Sequence, residues 1–123
     1  MTTNVPEPER DLSIRTKEFA RRVVRLYSTL PTSTVAQVLG KQLLRAGTSV
    51  GAHYSEAPRA RSKAEFISKL RGGLQELEET IYWLELLLEA KIGSPDRLQG
   101  TLREAREVAA MMTASVTTAG RNR

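Results

Sequence analysis

Between Ser62 and Lys91 the chain reads SKAEFISKLRGGLQELEETIYWLELLLEAK, and this stretch decides the fold. Its apolar residues Phe66, Leu70, Leu74, Leu77, Ile81, Leu84 and Leu88 follow one another at steps of 4, 4, 3, 4, 3 and 4. That is one stripe of an α-helix, close to the heptad seam of helices that cross at about +20° in bundles. Ser62 and Glu65 have capping-box spacing, in which hydroxyl and carboxylate each take a free backbone N–H, so a helix is expected over about 63–91. Gly72-Gly73 falls mid-helix, where each glycine costs about 1 kcal/mol against alanine. The pair implies close packing or a slight bend.

The flanks supply the neighbours. Ile92-Gly93-Ser94-Pro95-Asp96 is a helix-to-helix turn, with Gly93 at the C′ position, Ser94 as N-cap, Pro95 first in the helix and Asp96 in its first turn. A helix over 95–117 follows, on Leu98, Leu102, Ala105, Ala109, Met112 and Val116. Upstream, Pro58 closes a helix over 34–57 with Val35, Leu39, Leu43, Ala46 and Val50 on one stripe. Its middle, Ala46 to Ala52, holds Gly47 and Gly51 and is a weak helix former. A break there is one reading. The unbroken apolar period favours the other, a continuous helix whose small residues admit a neighbouring backbone. Leu30-Pro31 ends a first helix over 12–30, capped by Asp11 or Ser13. Its stripe is Leu12, Phe19, Val23, Leu26 and Leu30, widened by Ala20, Val24 and Tyr27. Residues 1–10 read as a flexible arm and 120–123 as a frayed end. Four helices on short loops give one all-α domain over 11–119, an antiparallel up-down-up-down four-helix bundle.

Composition narrows the chemistry. Of 123 residues 40% are hydrophobic and 27% charged, ordinary for a globular protein. The absence of cysteine excludes a disulfide scaffold, thiolate metal sites and a cysteine nucleophile. His53, the single histidine, forms only an i, i+3 pair with Glu56, too few ligands for a closed metal site. The stretch Gly47 to Gly51 lacks Gly-Lys-[Ser/Thr] and follows no strand, so it is no phosphate loop. Ser49 has no partner base, and Glu76, Glu78, Glu79, Glu85 and Glu89 read as a helix surface rather than a catalytic pair. A non-enzymatic protein without metal or cofactor is expected. No apolar run approaches the ~20 residues of a membrane span, and the polar start is no secretory signal, so a cytoplasmic chain away from membranes is expected.

Charge is the first functional clue. The net charge is +5, but residues 10–71 hold 13 basic against 4 acidic groups, whereas residues 72–107 hold 4 against 8. Lys17, Arg21 and Arg25, at i, i+4 and i+8, form a ridge with Arg22 beside it. Arg59, Arg61 and Lys63 crowd the connector before the third helix. Glu18 can pair with Arg21 or Arg22 and blunt the ridge. Such a surface can simply solubilise the protein, pair with RNA or DNA phosphates, or dock on the acidic half of another copy. Grease is the second clue. Tyr82, Trp83, Leu86 and Leu87 lie outside the Phe66–Leu88 seam, so the third helix is apolar around most of its girth. Such a helix must be covered on all sides, either by self-association through these four residues, with Tyr82 and Trp83 as anchors, or as a second core stripe under the amino-terminal arm.

Several segments together resemble a known family. They are Arg15-Thr16-x-x-Phe19-Ala20, the run from Gln42 to Ala57, Ser62-x-x-Glu65-Phe66-Ile67-x-Lys69-Leu70, and Glu76-x-x-Glu79-Thr80-x-Tyr82-Trp83-Leu84. This pattern is similar to the bacterial proteins encoded in intervening sequences of 23S ribosomal RNA genes. The resemblance implies an antiparallel four-helix bundle assembled as a homopentamer. It also points to related accessory bundles of retroelements that bind nucleic acid and a reverse transcriptase. Its recurring polar positions, here Arg15, Gln42, Arg45, Ser49, His53, Tyr54 and Glu56, would fix helix register or line a subunit interface. Two departures stand out: His53 replaces the usual asparagine, and Gly72-Gly73 replaces apolar residues or alanine. Two functions follow as expectations. One is an assembly or adaptor protein binding nucleic acid through its basic face; the other is a structural or protein–protein interaction module with no nucleic-acid role.

Overall fold

The computed structural model describes residues 7–121, and among them are four long helices and no strand. They are α1 (Glu7–Ser28), α2 (Thr34–Glu56), α3 (Lys63–Glu89) and α4 (Pro95–Arg121), with a 3₁₀ turn (Ala57–Arg59) between α2 and α3. No described helix is long and apolar enough to cross a membrane. Each helix packs on the next in sequence, and α1 also packs on α4, so the four enclose one core.

Helix ends follow local chemistry. The Ser33 hydroxyl accepts from the Ala36 N–H at 3.3 Å, and the Ser62 hydroxyl from the Glu65 N–H at 3.1 Å, each filling one orphan donor. Residues 7–10, expected in the flexible arm, are helical instead. Pro8 does not prevent this, because an N–H in the first turn has no carbonyl to bond and its loss is free. At the other end α4 continues through Gly120 to Arg121, past the expected stop at 117. The rest of the expected arm (1–6) and frayed end (122–123) lies outside the described residues.

The turn after α3 differs in detail from expectation. Ala90 is the C-cap, and Lys91 takes the C′ position with φ 58°. The Lys91 N–H bonds to the Leu88 carbonyl and the Ile92 N–H to the Leu87 carbonyl, which is the Schellman pattern. Gly93, two residues later at φ 89°, turns the chain into α4. A β-carbon there would also meet Leu30 Cδ2 at 2.8 Å, and one on Gly40 would meet Leu30 Cδ1 at 2.8 Å. Leu30 is thus held between α2 and the α3–α4 turn.

In the core, Leu12, Phe19, Val23, Leu26 and Leu30 of α1 are all buried, as the stripe requires. On α2 the buried side is Ala36, Gly40, Leu43, Ala46, Gly47, Val50 and Tyr54, while Val35 is 57% exposed. The helix runs unbroken through Gly47 and Gly51. Gly47 lies directly against Val23, whose methyls would stand 2.7 and 2.8 Å from a β-carbon. On α3 the buried line is Leu70, Gly73, Leu77, Thr80, Leu84 and Leu87. Leu87 is therefore not available to a partner: it is fully buried in its own core. The helix packs against both α2 and α4, so its inward face is wider than one seam and takes in positions 80 and 87.

Candidate nucleic-acid interface

The cationic residues sort into two groups by what they touch. In the first group each has a carboxylate. Arg15, on α1, donates to Glu104 of α4 from Nε and Nη2 at 3.0 and 2.9 Å and reaches Glu107 at 3.3 Å. This two-pronged contact, above all its bond to Glu104, raises the Arg15 pKa further above its ordinary value. Arg45, on α2, donates to both oxygens of Glu79 on α3 at 2.7 and 2.8 Å and stands 3.6 Å from Glu76. That bond from Arg45 holds the Glu79 carboxyl below the usual carboxylate range, helped by the Trp83 indole N–H at 3.3 Å. Lys69 donates to Glu56 at 3.0 Å and lowers its pKa in the same way. Arg106 pairs with Glu85 at 3.3 Å.

The second group has none. Lys17, Arg21, Arg22 and Arg25 on α1, with Arg59, Arg61 and Lys63 around the connector, are all exposed. Among the described residues none of the seven forms an ion pair, and neither do Lys41, Arg71, Lys91, Arg97, Arg103 and Arg121 elsewhere on the molecule. Glu18, which shares their stretch of α1, is exposed and equally unpaired. These seven groups therefore keep their hydration and their charge for an external anion.

Of the seven polar positions, the structure brings Arg45 and His53 together on α2, both facing Glu76. His53 Nε2 lies 3.7 Å from Glu76, and Glu56 follows at the end of the same helix in its pair with Lys69. Arg15 stands apart, in the α1–α4 groove. Tyr54 is buried, Ser49 donates to the Arg45 carbonyl of its own helix at 2.6 Å, and Gln42 is exposed. Of the acidic partners, Glu76 and Glu79 read as helix surface in the sequence, and Glu104 carries no motif there. Only their positions across a helix pair reveal them, and no spacing within one helix carries that signal.

The two departures at His53 and Gly72-Gly73 turn out to be one feature. A β-carbon on Gly72 would stand 2.9 Å from His53 Nδ1 and 3.1 Å from its Cε1. The bare glycine makes room for a ring wider than an asparagine amide, and Gly73 does the same for the Met112 methyl, at 2.7 Å. The glycines are thus packing surfaces for particular side chains.

On the outer side of α3, Tyr82 is 57% exposed and stacks edge-on against Trp83, with ring centres 5.0 Å apart at 81°. Trp83 and Leu86 are half-buried, and Trp83 packs against its own core. Of the four proposed contact residues, then, Tyr82 is open, Trp83 and Leu86 are partly so, and Leu87 is closed. Ile14, Val24, Val35 and Val38 are also exposed, none of them among those four. Among the described residues no three His, Asp or Glu side chains are placed to hold a metal ion.

Comparison with known proteins places this geometry. No curated protein matches the chain. A solved structure of a protein of unknown function from the S23 ribosomal protein family of Bacteroides thetaiotaomicron VPI-5482 superposes with a TM-score of 0.84. The two share 34% identity over 89% of this chain and 98% of that one. The model of the 23S rRNA-intervening sequence proteins matches residues 10–114. With nearly the whole bundle inside that match, the chain belongs to the 23S rRNA-intervening sequence protein family.

Proposed function

We propose that this protein is a non-enzymatic, self-associating adaptor whose basic face binds RNA or DNA through phosphates. The observation that carries the reading is the division among its cations. Among the described residues Arg15, Arg45, Lys69 and Arg106 have carboxylate partners; of the cations without one, seven are gathered on α1 and around the connector, and the others are spread over α2, α3, α4 and the α3–α4 turn. An up-down-up-down, antiparallel bundle accommodates this division. The pairs Arg45–Glu79 and Glu56–Lys69 climb α2 while descending α3, and α1 meets α4 at Arg15–Glu104. By family resemblance the assembly is a pentamer in the cytoplasm, which would repeat the basic ridge around an axis and multiply weak phosphate contacts. A reverse transcriptase is a further partner consistent with that resemblance.

Fluorescence anisotropy with labelled RNA and DNA duplexes tests this. Binding is expected at about 50 mM salt, with affinity falling as a power of salt concentration. Reversing charge at Arg21 and Arg25 should weaken it severalfold and flatten the salt slope. Absence of binding at that salt overturns the reading.

Exposed Tyr82 and half-buried Trp83 favour a second reading, a protein-interaction module built on the same bundle with no nucleic-acid role. Mass measurement at two ionic strengths distinguishes its forms. An assembly held by apolar α3 contacts keeps its mass in high salt, while one held by pairing of basic and acidic halves falls apart.

A further inference from the structure

Gly100 of α4 is buried, and what covers it comes from α1. A β-carbon built on Gly100 would sit 2.6 Å from Arg22 Nη2, so the guanidinium rests where a side chain would otherwise stand. Arg103, one turn further along α4, brings its own Nη2 to 3.9 Å from the same point. Two guanidinium groups from different helices thus converge over one bare stretch of backbone.

Neither arginine forms an ion pair or side-chain hydrogen bond with any described residue. Two turns earlier on α1 the same groove treats Arg15 differently, meeting it with Glu104 and Glu107. Glu18, one turn before Arg22, is exposed and pairs with neither. Like charges brought together without a counter-ion repel, and two planar N–H forks on one spot match an oxyanion better than any other ligand.

We propose that Arg22 and Arg103, seated over Gly100, form a two-arginine phosphate site in the α1–α4 groove. Its occupant is a backbone phosphate of bound nucleic acid, so for its source of phosphate the inference rests on the function proposed above. It adds α4 to an interface otherwise made of α1 and the connector, and it gives Gly100 a role: a β-carbon there would push Arg22 Nη2 from its present seat.

Three variants of the full chain test this, each first checked for folding by circular dichroism. They are Arg22→Gln/Arg103→Gln, Gly100→Ala, and Arg59→Gln/Arg61→Gln, the last of which should weaken duplex binding but leave the response of the groove signals to inorganic phosphate intact. Binding of an RNA duplex is read by anisotropy across salt concentrations. Binding of inorganic phosphate is read from the arginine Nε–Hε and Gly100 amide NMR signals. The double arginine variant is expected to lose about tenfold in duplex affinity, and its salt slope should be shallower by ~0.9, since one phosphate is no longer neutralised. Gly100→Ala, which changes no charge, should weaken binding in the same direction, and inorganic phosphate should move the Arg22, Arg103 and Gly100 signals in the unaltered protein. If the duplex binds both groove variants as well as it binds the unaltered protein, the site is overturned while nucleic-acid binding stands. If no duplex binds but inorganic phosphate moves those signals, the arginine site stands and its nucleic-acid occupant is overturned. If neither ligand binds, both fall.

Discussion

Replacing Gly47 by alanine is expected to destabilise the protein, even though alanine is the better helix former. The new methyl would stand 2.7, 2.8 and 3.1 Å from three atoms of Val23, which is itself fully buried. Valine is branched at Cβ and stiff at χ1, so it cannot swing its methyls aside as a leucine or methionine could. Relief must come from α1 and α2 moving apart, and that loosens every contact along their shared face. Overpacking of this kind costs roughly 1–3 kcal/mol, against which the helix preference returns about 1. The stiff Val23 puts the cost at the upper end, and a net loss of up to about 2 kcal/mol would lower the melting midpoint by several degrees in a chain of this size. Thermal denaturation followed by circular dichroism checks this. Val23→Ala on the Gly47→Ala background should cost less than Val23→Ala alone, because it removes the obstruction. Equal costs on the two backgrounds would show that the glycine is not there for Val23.

The second large effect is a coupling between His53 and Gly72. Gly72→Ala alone should bring little of the ~1 kcal/mol that alanine normally adds to a helix interior, because its methyl displaces the His53 ring from Glu76. His53→Asn alone leaves an unfilled hollow over Gly72. The double variant His53→Asn/Gly72→Ala, which is closer to the family pattern, should be more stable than the two single changes add up to. An interaction of roughly 0.5–1.5 kcal/mol is the expected size for groups in direct contact. A denaturant double-mutant cycle measures it, and strict additivity would sink the claim that one residue makes room for the other. Gly73→Ala should cost less than Gly47→Ala, since the atom it meets is the flexible end of Met112.

What could be read from sequence was set by side-chain size. The α1 stripe from Leu12 to Leu30 is buried throughout, because large apolar residues at helical spacing leave only one face to bury. On α2 the same logic put Val35 on the inside, yet Ala36 and Gly40 are there and Val35 is in water. Those small residues contribute little to an apolar pattern. Their value is that they let α1 come close enough for Tyr27 and Leu30 to rest on bare backbone. Leu87 failed as a contact residue for a related reason: it is the next step of the line Leu77, Thr80, Leu84, and a buried threonine hid that line from a search for apolar residues. Thr80 is buried at no cost because its hydroxyl donates to the Glu76 carbonyl at 2.8 Å.

The basic ridge was legible in part. Spacing placed Lys17, Arg21 and Arg25 on one side of α1, and exposure of all three agrees with it. Spacing held no sign that Arg15, on the same helix, differs from them: only the family resemblance set it apart, and its partners Glu104 and Glu107 lie some ninety positions downstream. It gave equally little warning of Arg103, whose only link to Arg22 is the tertiary crossing at Gly100.

Leu30 has a mechanical consequence. One of its methyls lies against Gly40 and the other against Gly93, so a single side chain pins the α1–α2 turn and the α3–α4 turn to each other. Lengthening either loop would drag the other with it. That pole of the molecule is therefore cross-braced, its two turns sharing one buried side chain.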